Sequence, residues 1–166
     1  MLTETFDTPF GEDPASGAQV RLNDGRSVAV RIAREHDEPA LAEFVVELGA
    51  AARGLRAMAG AAGARDIPSL ALWAARPDGS DRIGLLAVDA AGHVVGYAAC
   101  SRVYGPRAEL ELVIRDSYRH LGVGAALLER LSDEAALCGI RTFVAGVDVE
   151  FPTSTWPGWL AAQRFK

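Results

Sequence analysis

The sequence predicts an α/β domain built on a mixed central β-sheet flanked by helices. Three observations point there. Residues 108–147 read as strand, loop, helix and strand, a unit of the size that a parallel crossover needs. Two apolar runs, residues 83–88 and 93–103, flank the turn Asp89-Ala90-Ala91-Gly92 and read as an antiparallel hairpin. Ahead of them, an alternating stretch passes into helical spacing, and no internal repeat or low-complexity tract interrupts the chain.

Taken in order, residues 1–25 mix Thr, Pro, Gly, Asp and Ser without periodicity and predict a flexible arm, leaving residues 26–166 as the folded domain. Residues 27–32 alternate valine and isoleucine with smaller or polar residues and predict the first strand. Asp37 fits a helix N-cap, Leu41, Phe44, Val45 and Leu48 recur at helical spacing, and Gly49 stops the helix. Residues 50–64 are rich in Ala and Gly and predict one or two loose helical turns. Residues 67–75 predict a short helix, broken by Pro77-Asp78-Gly79-Ser80. After the hairpin, Gly105 and Pro106 turn the chain into the strand at 108–114. The helix at 124–138 then carries Leu127, Leu128, Leu131, Ala135 and Cys138 on one stripe and Glu129, Arg130, Asp133 and Glu134 on the other. Gly139 ends it before the returning strand.

Of the 166 residues, 49% are hydrophobic, which suits one domain with a core and argues against wholesale disorder. A formal net charge of −5 disfavours a nucleic-acid surface and welcomes an amine-bearing or basic substrate. Cys100 and Cys138 stand in apolar surroundings without metal-ligand spacing, so buried thiols are expected and a metal is not. No apolar run of membrane-spanning length and no basic-then-apolar leader occurs. Neither a membrane partner nor secretion is therefore expected, and the predicted location is cytoplasmic.

The loop between the strand at 108–114 and its helix carries Arg119-x-x-Gly122-x-Gly124. Because it opens directly into the helix, its backbone N–H groups can face outward with no Cβ in the way. Those amides, the positive end of the helix dipole and the charge of Arg119 favour a phosphate. The competing reading is a tight turn that binds nothing. In this placement the pattern resembles the acetyl-coenzyme A loop of the GNAT superfamily of N-acetyltransferases: Gln or Arg, two residues, Gly, one residue, Gly or Ala. The order of elements over residues 27–147 is similar to the GNAT fold. Three stretches, LNDGRSVAVRIAREHDEPALAEF, SDRIGLLAVDAAGHVVGYA and AELELVIRDSYRHLGVG, look most like the bacterial Pat-like protein lysine acetyltransferase domains.

The resemblance implies direct transfer of an acetyl group from acetyl-coenzyme A to an amine, a protein lysine in preference and a small amine as the rival acceptor. It implies that backbone groups of Val113 and Ile114 pair with pantetheine and that the amides of Leu121, Gly122, Val123, Gly124 and Ala125 hold the pyrophosphate. Arg119 takes the place of the family's Gln or Arg. Glu109 matches the glutamate that Pat-like enzymes place in the central strand as general base.

That chemistry requires a neutral amine, a polarised thioester carbonyl and a proton donor for the departing thiolate. Strand alternation puts Glu109, Glu111 and Val113 on one face, opposite Leu110, Leu112 and Ile114. Two carboxylates so placed, partly desolvated, raise at least one pKa, so Glu111 joins Glu109 as a catalytic candidate. On the competing reading both decorate a solvent-facing strand. His120 reads as exposed beside the phosphates, Tyr118 as a packing residue, His36 and His93 as surface, and Trp73 as core or acceptor-site wall.

After residue 147 the chain reads DVEFPTSTWPGWLAAQRFK, and no tyrosine follows Tyr118. The family's usual general acid thus has no candidate at its usual place, leaving Ser154, Thr155 or water as relays. A shortened C-terminal part is predicted: a short helix at 155–164 with Trp156, Trp159 and Leu160 on its apolar side, and no closing strands. The sheet edge so exposed could be covered by a second copy in a homodimer. The same departure suggests an alternative, a non-catalytic module that binds acyl-coenzyme A. An arm this short holds no regulatory domain, so control of that kind is expected to be absent or supplied by another protein. Acceptor choice is expected in loops 55–68 and 104–107.

Overall fold

The computed structural model describes residues 17–145 and 149–152. Its strands, β1 (Ala18–Arg21), β2 (Ser27–Ile32), β3 (Arg82–Val88), β4 (Val94–Tyr104), β5 (Arg107–Ile114), β6 (Thr142–Ala145) and β7 (Val149–Pro152), form one sheet in sequential order. Every neighbouring pair is antiparallel except β5 and β6, which are parallel because α4 (Val123–Leu137) carries the chain across between them. The sheet is mixed, as the sequence predicts.

Two expectations change. Residues 18–21, assigned above to the arm, form β1 and pair with β2 around the Asn23-Asp24-Gly25 turn. Gly25 has φ +91°, the left-handed backbone that a tight hairpin turn demands. Beyond β6, where no closing strand is expected, residues 149–152 form β7 and pair antiparallel with β6. The helix expected at 155–164, with Ser154 and Thr155, lies outside the described residues.

Helices cover both faces of the sheet. On one face α1 (Glu38–Leu48), α2 (Arg53–Ala61) and α3 (Ile67–Ala75) bury Leu41, Phe44, Leu55 and Leu70 against Leu86, Tyr97 and Val113. On the other, α4 buries Leu127, Leu128 and Leu131 against Val28, Leu85, Ile140 and Phe143. β3 lies between covered faces, which is why its apolar residues run on without alternating. The loose turns expected at 50–64 tighten into a 3-10 turn, Gly49–Ala52, followed by α2, so much of the loop expected at 55–68 is helical. Asp37 stands at the N-cap of α1 without capping it. Its carboxylate instead accepts two bonds from Arg31, at 2.7 and 2.6 Å, and one from the Arg34 amide at 2.7 Å, locking the end of β2 to the start of α1. At α3 the cap does form, with Asp66 accepting from the Ser69 amide at 2.8 Å.

Among the described residues no helix is long and apolar enough to cross a membrane, and no group of His, Cys, Asp or Glu is placed to hold a metal ion.

Candidate active site

The site is created by the place where β5 and β6 part. Their parallel ladder runs only from Arg107 opposite Thr142 to Glu109 opposite Val144, whereas β5 continues to Ile114. On its other edge β5 stays paired with β4 throughout, Tyr97 facing Val113 and Gly96 facing Ile114. Among the described residues, 110–114 therefore present a strand edge beyond the last β5–β6 pair. Backbone amides and carbonyls there can pair with an extended ligand, the role that the resemblance gives to Val113 and Ile114.

At the end of this edge lies the loop that leads into α4. A 3-10 turn, Asp116–Tyr118, leads to extended Arg119, then to His120 at φ +62° and Gly122 at φ +100°, the N-cap residue of α4. Gly122 faces open space, so only its backbone conformation demands glycine there. Ala126 is the first residue whose amide finds a helical acceptor, the Gly122 carbonyl, at 3.1 Å. The helix offers nothing to the amides of Val123, Gly124 and Ala125, so its first turn presents N–H groups that an anion could accept from. Val123 is buried and Leu121 half-buried against the core, pinning the loop from beneath. A Cβ on Gly124 would meet Leu112 at 3.4 Å, an ordinary contact, so the packing of α4 on β5 does not by itself demand glycine there. The residues present fit a pyrophosphate. Arg119 is exposed and pairs with Asp116 at 3.1 Å, leaving its guanidinium at the rim of the loop.

The loop also leans on the β1–β2 hairpin, which the sequence reading did not connect with it. The Asn23 amide donates to the Leu121 carbonyl at 3.1 Å, Arg26 donates to the Ser117 carbonyl at 3.2 Å, and the Arg26 guanidinium lies 4.1 Å from the Tyr118 ring centre. The dipeptide Asp24-Gly25 between alternating stretches was the available signal.

Glu109 and Glu111 share the α1–α3 face with Val113, as alternation predicts, and stand across from Ser101 and Ala99 of β4. Glu109 is exposed and Glu111 half-buried. Burial, and after it the charge of Glu109, pushes the Glu111 carboxyl up to about 7. The solvent-facing reading thus describes Glu109 and not Glu111.

The remaining candidates fall away from this centre. His120, His36 and His93 are exposed, and Tyr118 packs beneath Arg26. Trp73 is half-buried against the α1–α3 core with the Arg82 guanidinium 4.4 Å above its ring. Cys100 is buried, its thiol pushed up to about 12, while Cys138 is only half-buried and donates to the Gly79 carbonyl at 3.2 Å.

The family model for the GNAT acetyltransferases matches residues 60–154, more than half of the chain. No curated protein matches the sequence. Among solved structures, the fold is similar to the GNAT domain of S. lividans PAT, at 24% identity and a TM-score of 0.65 over 79% of this chain and 78% of that one. It is also similar to a cAMP-binding acyltransferase from Mycobacterium smegmatis, at 20% identity and a TM-score of 0.52, covering 80% of this chain but 38% of that one. A GNAT-family acetyltransferase from Staphylococcus aureus aligns over 72% of each chain at 16% identity and a TM-score of 0.56. The match over more than half its length, on the sheet and loop just described, means that the chain belongs to the GNAT family, acetyltransferases that move an acetyl group from acetyl-coenzyme A to an amine.

Proposed function

We propose that this enzyme acetylates lysine side chains of proteins, with Glu109 and Glu111 acting together as the general base. The observation that carries the reading is the carboxylate pair beside the parting of β5 and β6, one member exposed and the other half-buried and raised to about 7. An ammonium acceptor must lose a proton before it can attack. A pair of interacting carboxyls whose second proton leaves near neutrality is suited to take it. Glu109 is the member open to an arriving cation, and Glu111 is the member whose burial sets the pair's affinity for the proton. The resemblance assigns the base to Glu109 alone, while the geometry supports the two as a unit.

The amides of Leu121, Gly122, Val123, Gly124 and Ala125 hold the pyrophosphate of acetyl-coenzyme A, and the β5 edge at Val113 and Ile114 aligns its pantetheine arm. The bound thioester supplies the acyl group and a thiolate leaving group. A protein acceptor is favoured by the Pat-like stretches and by the likeness to the S. lividans PAT domain, while the net charge of −5 suits a cationic amine of either class.

Calorimetric titration of acetyl-coenzyme A followed by thiol release, with a lysine peptide and with small amines, tests this reading. The expected result is release with the peptide, a pH–rate profile rising with a midpoint near 7, and a loss of roughly a hundredfold or more in kcat for Glu109→Gln and Glu111→Gln with acetyl-coenzyme A affinity unchanged. Release with small amines alone would move the acceptor to that class. Full activity in both variants would remove the base assignment.

A further inference from the structure

Glu111 owes its position to a residue with no side chain. Its carboxyl group lies against Gly54 in the first turn of α2, and a Cβ placed on Gly54 would overlap both carboxylate oxygens and the carboxyl carbon. Nothing about the backbone explains glycine there. Gly54 is not among the residues with positive φ, and it sits in a helix, where alanine is favoured over glycine by about 0.5–1 kcal/mol. α2 is itself anchored, with Leu55, Met58 and Ala59 buried in the α1–α3 core, so the helix does not drift away from β5. On the other side, β5 is fixed by its ladder with β4, where Glu111 stands opposite Ala99. The carboxyl is thus confined between a strand and a helix, each held independently.

We propose that Gly54 is a positioning residue of the acetyl-transfer site: the space of its absent Cβ receives the Glu111 carboxyl and keeps it beside Glu109. This rests on the reading of the two glutamates as the base. The group that would move on substitution is the far end of a flexible side chain, not backbone. Alanine at 54 therefore leaves α2 in place and drives the Glu111 carboxyl out toward water. Displacement separates it from its desolvating wall, so the pair holds its proton less tightly and presents a misplaced carboxylate to the acceptor.

The test is Gly54→Ala, read by thiol release across pH and by a carbon-detected NMR titration of Glu111. The expected result is a kcat about tenfold lower near pH 7.5, part of the hundredfold or more that a positioned base supplies. The rising limb should shift to lower pH, the Glu111 titration should move down toward the ordinary carboxylate range, and acetyl-coenzyme A affinity should stay unchanged. An unmoved titration and pH profile in folded Gly54→Ala would overturn the proposal. If Gly54→Ala does not fold, Gly54→Ala with Glu111→Asp, shorter by one methylene, decides: recovered folding supports the shared space, and continued failure overturns it. Full activity in Glu109→Gln and Glu111→Gln would sink the base reading and with it the catalytic meaning of Gly54. A titration unmoved by Gly54→Ala would sink the positioning alone.

Discussion

Glu111 shows how one residue's surroundings convert an ordinary carboxyl into a group that titrates near neutrality. Burial opposes its ionisation first, and the charge of Glu109, two residues along the same strand face, opposes it further. The same shift has a sign for stability. Between its ordinary value of 4.5 and about 7, the folded chain keeps a proton on Glu111 that the unfolded chain releases. Folding therefore binds protons across that window, and stability falls as pH rises through it. Glu111→Gln removes the titration. Its melting temperature relative to the native protein should climb between about pH 4 and about pH 8, by roughly 2–4 °C for each kcal/mol relieved, with the half-open side chain keeping the total small. Thermal melts at the two pH values read this directly, and a constant difference would mean that the carboxyl titrates ordinarily.

At the scale of elements, the loop ahead of α4 rests on three supports. Below it, Leu121 and Val123 enter the core. Behind it, Gly96 of β4 lets the first turn of α4 descend, since a Cβ there would meet Leu127 at 2.9 Å, Ile114 at 3.0 Å and Val123 at 3.1 Å. Beside it, the β1–β2 hairpin contributes the Asn23 amide and the Arg26 guanidinium. The Arg26 contacts combine one hydrogen bond with stacking on Tyr118 at an exposed site. Arg26→Ala should therefore weaken acetyl-coenzyme A binding about fivefold by calorimetry while leaving kcat within about twofold, because the carboxylate pair is untouched. An unchanged affinity would mean that the loop stands without its neighbour.

Among the described residues, the sheet divides the interior into two cores that share no helix. Leu41 on α1 and Ile140 ahead of β6 are both fully buried, one in each core. Leu41→Ala should cost about 2–5 kcal/mol and Ile140→Val about 0.5–1.5 kcal/mol in urea unfolding. With the sheet between them their effects should add within about 0.5 kcal/mol. A larger departure would show the two cores to be coupled through the sheet. Much of this architecture was legible in the residues alone: the alternation of 108–114, the stripe on α4, the hairpin around residues 89–92 and the turn into α4 at Gly122 are periodic or punctuated by glycine. Local spacing carries such features because they repeat within a few residues. Folding in three dimensions set which groups meet across long stretches of chain. Local pattern placed Glu109 and Glu111 on one face, but not that α2 would bury the second and leave the first in water. Nor did it foretell that residues 18–21 would join the sheet, bringing Arg26 to Tyr118, or that a glycine in a weakly patterned Ala-rich stretch would make room for a carboxyl. Burial and close approach are properties of pairs distant in sequence, and no window along the chain contains both partners.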